Sequence, residues 1–102
     1  MTDPQIPRTT HAKLVTIVTA SELWPQLEVD LPRLGVSAYT WMDVSGRGGH
    51  GLRHPSLFLS GNVRVEVIVS AEVAQTIFEH LAAHYEGREV AAFAVDVVTL
   101  VR

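Results

Sequence analysis

Cysteine is absent from the 102 residues of this sequence, which excludes disulfides, thiolate metal sites and cysteine nucleophiles. The sequence also lacks a run of basic residues, and its formal net charge is −3, so neither a nucleic acid nor an anionic membrane is an expected partner. No apolar run approaches the roughly 20 residues that a membrane-spanning helix needs. Residues 1–12 are polar and lack the apolar centre of a signal peptide. We therefore expect a soluble, cytoplasmic protein without membrane insertion.

Apolar residues, in contrast, are plentiful for so short a chain. Hydrophobic residues make up 47% of the sequence, and the length is that of one domain. A domain of this size buries only about two-thirds of its unfolded surface, so some apolar residues are expected to remain outside a monomer's core. Self-association is the simplest use for them, and a well-filled core is the alternative.

The spacing of apolar residues predicts four strands and two helices after a flexible N-terminal arm, residues 1–12. Runs rich in β-formers predict strands at 14–18, 36–44, 63–69 and 90–101. Recurrence every three or four residues predicts one helix at 21–34 and a second that starts after Ser70, the expected N-cap. Gly35 and Gly87 suit the positions just past the two helix ends. Residues 45–62 are rich in glycine and form a long loop.

This order of elements, strand–helix–strand–strand–helix–strand, predicts an α+β domain with the ferredoxin-like fold. In that fold both helices lie on one face of a four-stranded antiparallel sheet, and the other face is left uncovered. The strands at 63–69 and 90–101 are apolar on both faces, which predicts a second covering layer. Sheet-to-sheet packing around the threefold axis of a homotrimer would supply that layer.

The long loop has two interpretations. Its glycines have the spacing of a dinucleotide-binding fingerprint, at Gly46, Gly48 and Gly51. The residues that follow, Leu-Arg-His-Pro, do not begin a helix, so we reject a Rossmann fold. Glycines nevertheless allow successive N–H groups to converge on a phosphate, and Arg47 and Arg53 lie in the same loop to neutralise it. The alternative is a flexible connector that binds nothing.

Three further residues outside this loop are candidates for ligand contacts. Glu66 lies between valines in the third predicted strand, either as a rim residue or as a polar contact in a subunit cleft. Arg88 and Arg102 flank the last predicted strand, where they are either solvated or hold phosphate oxygens.

Histidines do not combine into a predicted metal or catalytic site. The pairs His50/His54 and His80/His84 have the spacing of shared metal ligands. Neither pair has an acidic residue or a third histidine arranged with it, so we predict surface packing and no metal site. No nucleophile, general acid or carboxylate pair is evident, which argues against an enzyme.

A series of short segments keeps its order and spacing along the chain after residue 12: Lys13-Leu14-Val15-Thr16, Leu34-Gly35-Val36, Thr40, Val44, Gly46, Gly48, Gly51, 63–67, Asp96-Val97 and the terminal Arg102. Together these segments resemble the PII signal-transduction family and its PII-like relatives. The resemblance implies one ferredoxin-like domain, residues 13–102, that forms a homotrimer. It also implies a mobile T-loop, about 45–62, that responds to a ligand and contacts a partner protein.

The resemblance further implies an adenine nucleotide, bound in the clefts between subunits without other cofactors. By position, it assigns Thr40 and Glu66 to the cleft wall. It assigns residues 46–48 to the T-loop base, Arg88 to the phosphate-binding B-loop and Arg102 to a basic position near the chain end. These assignments follow from the family pattern and not from the chemistry of the residues alone.

The sequence also departs from the usual family pattern. The glycine-rich B-loop with its lysine is missing, and only residues 86–89 remain in its place. The T-loop has His50 where many members have glutamine, and it has no tyrosine, which excludes uridylylation at the usual site. The short form resembles PII-like proteins associated with carboxysomes and bicarbonate transport, which bind AMP, ADP or cyclic AMP. Bicarbonate near Arg47 and Arg53 is therefore a second expected ligand.

Two other functions remain open on the same fold. A trimer that binds divalent metal ions, similar to the CutA proteins, is suggested by the five histidines. A small enzyme is the third hypothesis, for which no catalytic residues are found.

Overall fold

Four predicted strands and two helices are present in the structure, a computed structural model that describes residues 8–48, 51–53 and 61–101. The strands are β1 (Thr9–Ala20), β2 (Thr40–Val44), β3 (Gly46–Gly48), β4 (Gly51–Arg53), β5 (Asn62–Val69) and β6 (Val90–Leu100). The helices are α1 (Trp24–Arg33), preceded by a 3-10 turn (Ser21–Leu23), and α2 (Ala71–His84). Within this part of the chain, no helix is long and apolar enough to cross a membrane.

Four strands form one antiparallel sheet in the order β2-β5-β1-β6, which confirms the predicted α+β, ferredoxin-like architecture. β1 lies between β5 and β6, and β2 extends the sheet beyond β5. β5 therefore separates β1 from β2, and β1 separates β5 from β6; the two helices make these two connections. β3 and β4 form a separate two-stranded sheet directly after β2.

One face of the four-stranded sheet is covered by both helices. The register pairs Val15 with Val67 and Ile17 with Val65, so these side chains project to the same face. All four are at most 2% exposed. The helices contribute the facing part of the core from positions three or four residues apart: Leu27 and Leu31 from α1, and Ala74, Ile77 and Leu81 from α2.

The opposite face of the sheet exposes large apolar side chains. Ile68, Phe93 and Val95 alternate with the core residues of their strands and are 58%, 51% and 48% exposed. Met42 on β2 projects to this face as well and is 42% exposed. We call these four residues the open face. Their exposure agrees with the expectation that both sides of the sheet are apolar.

The helix ends follow the predicted capping. Ser70 is the N-cap of α2, where its Oγ accepts the N–H of Val73 at 3.2 Å. At the end of α1, Gly35 has a φ of 99°. The Val36 N–H donates to the Leu31 carbonyl at 3.1 Å, and the Gly35 N–H donates to the Pro32 carbonyl at 3.2 Å. These bonds form a Schellman motif, which requires a left-handed residue after the helix.

The structure corrects three predicted boundaries. Residues 9–12 are not part of a flexible arm but extend β1, because β6 continues to Leu100 and pairs with them; residues 1–7 lie outside the described residues. The second strand begins at Thr40 instead of Val36, whose N–H is used by the helix cap. The predicted loop 45–62 contains β3 and β4, and its last residue, Asn62, belongs to β5.

A buried carboxylate joins the two helices. Asp30 on α1 is 7% exposed. Its Oδ2 accepts hydrogen bonds from the Tyr85 hydroxyl and from His80 Nε2, each at 2.8 Å, and its Oδ1 accepts one from Gln26 Nε2 at 2.8 Å. Burial alone would raise the pKa of Asp30, but the three hydrogen bonds outweigh it and hold the pKa below its ordinary value. We call these four side chains the Asp30 network.

We expect Asp30→Asn to lower the free energy of unfolding by about 1–3 kcal/mol at pH 7, because buried groups lose a charged acceptor. The lowered pKa means that Asp30 stabilises the fold above the carboxyl pKa of the unfolded chain, about 3.9, and that this stability disappears as the pH falls through the folded value. The difference between wild type and variant should therefore shrink below about pH 4. Denaturant unfolding at a fixed protein concentration measures it.

Asp43→Asn, at an exposed position of β2, is the matched control and should leave stability nearly unchanged. A difference between wild type and Asp30→Asn that stays constant through the acid range would contradict the role of the Asp30 charge.

Candidate functional site

Thr40 and Glu66 lie directly opposite each other on β2 and β5. Glu66 is also opposite Thr16 on β1, and Thr16 is opposite Phe93 on β6, so the four residues form one row across the sheet. This row projects to the open face, because it alternates with the core residues Val65 and Val67. Two residues that the sequence assigned to one site are thus neighbours in space.

A cleft of ≈ 370 Å³ lies beside this pair, and Leu14, Ala38, Tyr39, Thr40, Glu66 and Ile68 line it. The Glu66 side chain is 28% exposed, and its Oε2 lies 3.6 Å from Nη2 of Arg64. The cleft therefore combines apolar walls with one carboxylate and two hydroxyl-bearing residues, Thr40 and Tyr39. Such a lining suits a flat heterocycle that donates hydrogen bonds from its edge.

The base of the predicted T-loop continues directly from β2. Gly46 follows Val44 after one residue, and in the β3–β4 pair Gly46 is opposite Arg53, Arg47 is opposite Leu52, and Gly48 is opposite Gly51. The backbone register thus places residues 47 and 53 on neighbouring rungs of one short ladder. This pairing holds the proposed anion-binding residues on one two-stranded element.

The 86–89 segment and the T-loop base lie at the same end of the four-stranded sheet. At this end Val44 pairs with Asn62, and Asn62 pairs with Ala20. The Ala20 N–H donates to the Glu89 carbonyl at 3.2 Å, and the Ser21 N–H donates to the Gly61 carbonyl at 2.8 Å. We call this the loop end of the sheet. Residues 46–48 and Arg88, about forty positions apart in the chain, thus lie at the same end of the sheet, beside its two edge strands β2 and β6.

The Thr40–Glu66 pair lies inward from the loop end by four residues along β2 and β5. At about 3.4 Å per residue, the separation along the strands is about 14 Å. A ligand that reaches from the Glu66 cleft to the loop end therefore has to be extended, with different chemical groups at its two ends.

Arg88 is fixed by its backbone while its side chain is exposed. Its N–H donates to the Tyr85 carbonyl at 3.0 Å, and its carbonyl accepts the Val90 N–H at 2.9 Å. Gly87 precedes it with a φ of 75°, a conformation that a residue with a Cβ rarely adopts. Arg88 lies between two clefts of ≈ 480 and ≈ 490 Å³, which Tyr85 also lines.

The histidine pairs give a mixed outcome. His50 and His54 lie outside the described residues, as does Arg102. The statement that no acidic residue is arranged with His80 and His84 is wrong, because Asp30 of α1 accepts a hydrogen bond from His80. The ring centroids of His80 and His84 are 4.5 Å apart. Across 8–48, 51–53 and 61–101, no three or more histidine, aspartate or glutamate side chains are grouped to hold a metal ion.

Sequence reasoning missed the aromatic cluster beside the cleft. The Trp24 ring lies 5.6 Å from that of Tyr39 and 5.9 Å from that of Trp41. The Tyr39 hydroxyl donates to Glu28 Oε2 at 2.8 Å, and this bond raises the pKa of Tyr39. The cluster fixes the start of β2 against α1 and so positions Thr40. The alternation of β-formers from Tyr39 to Trp41 indicated a strand but not this contact.

Another cleft, of ≈ 530 Å³, lies at the other end of β1 and contains none of the predicted site residues. His11, Lys13 and Asp96 line it, and Lys13 and Asp96 form an ion pair between β1 and β6. This ion pair lowers the pKa of Asp96.

Comparison with known proteins identifies relatives of this chain. The model of the family described as nitrogen regulatory protein P-II matches residues 12–102. Among solved structures, a chain described as a PII-like signalling protein from Thermus thermophilus shares 36% sequence identity, and the match covers 89% of this chain and 91% of that chain with a TM-score of 0.75. No curated protein matches the sequence.

CPII, a nitrogen regulatory PII-like protein from Thiomonas intermedia, has the same fold. Its structure bound to ADP, AMP and bicarbonate matches with a TM-score of 0.82 at 20% identity, and the match covers 92% of each chain. Its apo form matches with a TM-score of 0.79 at 16% identity, covering 95% of this chain and 100% of that chain.

Proposed function

Since the chain belongs to the nitrogen regulatory protein P-II family, we propose that it is a divergent PII-like regulator that binds an adenine nucleotide between the subunits of a homotrimer. Nucleotide binding orders the T-loop, about 45–62, which then engages or releases a partner protein. The site residues bind the ligand and do not transform it, so the protein is not an enzyme. A cytoplasmic location is part of the proposal, because adenine nucleotides are abundant there.

The position of the Thr40–Glu66 cleft on the uncovered side of the sheet supports this proposal most directly. Ile68, which lines the cleft, belongs to the open face. Large apolar residues exposed together on a sheet favour association, because their burial removes apolar surface from water. A trimer that covers the open face adds a wall from a second subunit to the cleft. A ligand there contacts two subunits and stabilises the assembly.

Glu66 and Thr40 provide groups that an adenine base can use. A carboxylate accepts a hydrogen bond from the exocyclic amino group, and a hydroxyl both donates and accepts. Leu14 and Ile68 supply apolar contacts for the faces of the ring. Together these groups favour adenine, which offers an amino group to the Glu66 carboxylate. A base that presents a carbonyl oxygen at the same place is disfavoured, because two acceptors would face each other.

The loop end of the sheet provides the phosphate-binding half. It lies about 14 Å from Glu66 along the strands, a distance that an extended nucleotide can span. The backbone N–H groups of residues 46–48 that the β3–β4 ladder does not use and the guanidinium of Arg88 suit phosphate oxygens. Arg47 and Arg102 complete the proposed set by the family pattern.

The ligands of CPII support the ligand class, since that relative of the same fold binds ADP, AMP and bicarbonate. We extend the proposal to bicarbonate, with Arg47 and Arg53 as its ligands by the resemblance to the short PII-like subgroup. In this scheme bicarbonate and nucleotide bind at adjacent sites, and the protein links inorganic carbon to adenylate state; an association with carboxysomes is part of the proposal.

We expect AMP, ADP, ATP or cyclic AMP to bind the wild-type protein and raise its Tm. Glu66→Gln should weaken binding about tenfold or more, and should do so equally for AMP and ADP, because Glu66 contacts the base. Arg88→Ala should weaken ADP more than AMP, because its partner is a phosphate. Isothermal titration calorimetry with each nucleotide measures both effects.

Glu79→Gln and Arg33→Ala are the matched controls, because they make the same two substitutions at exposed helix positions away from the cleft. Both variants should bind each nucleotide as tightly as the wild-type protein does. The same thermal-shift screen includes zinc and copper ions. Stabilisation by a metal ion with no response to any nucleotide would replace this proposal with the CutA-like alternative.

We expect the wild-type protein to have a mass in solution of three times the 11.2 kDa chain. Phe93→Asp should shift the mass toward the monomer, because it places a charge on a face that the trimer buries. Val29→Asp is the matched control, since Val29 is 49% exposed on α1, away from the sheet. Light scattering on the chromatographic peak measures the mass, and equal masses for both variants would contradict the assigned interface.

We expect bicarbonate to change the affinity for ADP by about fivefold or more, and ADP to change the affinity for bicarbonate by the same factor. Arg47→Gln with Arg53→Gln should abolish this coupling, while ADP binds more weakly without Arg47 but still binds through Glu66 and Arg88. Calorimetric titration of ADP with and without bicarbonate measures it. An ADP affinity that does not respond to bicarbonate would remove bicarbonate from the proposed function.

A further inference from the structure

The 86–89 segment has few contacts of its own. Its four residues are exposed, and one of them, Gly87, has a φ of 75°. The Arg88 N–H donates to the Tyr85 carbonyl, and the Glu89 carbonyl accepts the Ala20 N–H. The Arg88 carbonyl also accepts the Val90 N–H. The backbone that carries the Arg88 guanidinium is therefore held by the ends of β1 and β6 on one side and by Tyr85 on the other.

Tyr85 is itself held at both ends of its side chain. It is the C-cap residue of α2, and its N–H donates to the Leu81 carbonyl at 3.0 Å. Its ring is part of the core and the residue is only 6% exposed. Its hydroxyl donates to Asp30 Oδ2 at 2.8 Å, and burial together with this bond raises the pKa of the hydroxyl far above its ordinary range. The group therefore stays a proton donor over the whole physiological pH range.

The Asp30 carboxylate is aimed at Tyr85 by its other partners. Gln26, one turn earlier on α1, holds Oδ1, and His80, on the α2 turn before Tyr85, donates to the same Oδ2 as the Tyr85 hydroxyl. Because an ionised carboxylate only accepts hydrogen bonds, His80 Nε2 carries a proton in this arrangement. The acceptor thus has a fixed orientation relative to both helices.

From these contacts we infer that Asp30 and Tyr85 are positioning residues for Arg88, through which α1 sets the geometry of the phosphate-binding loop. This inference rests on the proposed function, in that Arg88 contacts the phosphates of the nucleotide. A short loop with one arginine cannot wrap a phosphate chain, so its binding free energy depends on where that one side chain is held. The Asp30 carboxylate on α1 holds the Tyr85 side chain in place, and Tyr85 in turn holds the backbone of Arg88.

Tyr85→Phe tests the inference, because it removes only the hydroxyl that connects the end of α2 to Asp30 and leaves the ring in the core. We expect the Arg88 amide to exchange with solvent faster in the ligand-free variant, and ADP to bind about five- to tenfold more weakly. Hydrogen exchange by NMR and calorimetry with ADP, both well below the Tm, measure these effects.

Ser70→Ala is the matched control. It also removes one hydrogen bond of α2, but that bond caps the first turn of the helix, at the end opposite the loop. A loss of stability with unchanged Arg88 exchange and unchanged ADP affinity is the expected result. If Ser70→Ala weakens ADP as much as Tyr85→Phe does, the hydroxyl acts through general stability and the positioning role is overturned.

A double-mutant cycle of Tyr85→Phe and Arg88→Ala tests whether Tyr85 affects ADP binding through Arg88. If Tyr85 acts through Arg88, Tyr85→Phe should cost no further ADP affinity once Arg88→Ala is present. Fully additive losses would overturn the inference. If the wild-type protein binds no nucleotide, the proposed function itself fails. If it binds ADP, is weakened by Arg88→Ala and is indifferent to Tyr85→Phe, this inference alone fails.

Discussion

The antiparallel register of β1 between β5 and β6 is the constraint on which the rest of the structure depends. It places Val15 and Ile17 opposite Val67 and Val65, under the two helices. A shift by one residue would turn these four core side chains away from the helices, so the register is strongly specified. The same register places Thr16 opposite Glu66 and Phe93, on the other face. Core and candidate site are therefore two consequences of one alignment.

The fold also explains why residues far apart in sequence converge at the loop end. In a split βαβ arrangement, the strand after the T-loop and the strand after α2 flank β1 on its two sides. Both strands begin where β1 ends, so the segments that precede them, ending at Gly61 and Glu89, meet Ser21 and Ala20. A ligand bound at this end can therefore contact both segments, while Glu66 is placed farther along the same strand.

Local signals in the sequence predicted the local features of the fold. The alternation in β5, the Ser70 cap and the glycine after α1 are each decided by neighbouring residues. The extension of β1 to Thr9 is decided by a distant segment. Residues 9–12 pair with 97–100 of β6, more than eighty positions away in the chain. The family pattern selected Thr40 and Glu66 as a pair, and the structure places them opposite each other. It did not indicate Tyr39 or Ile68, which line the same cleft through packing.

The Asp30 network could not be predicted, since its partners on α2 are 50 and 55 positions from Asp30. Its energetics nevertheless bear on its role. A buried carboxylate incurs a desolvation cost that its hydrogen bonds offset, and a well-packed apolar group of similar size often stabilises a core at least as well. What an apolar contact does not provide is a directional bond that fixes a hydroxyl at one point. In this domain the hydroxyl belongs to Tyr85, whose carbonyl accepts the Arg88 N–H. That connection, which an apolar core would lack, is why we infer a role for the network in the geometry of the loop as well as in stability.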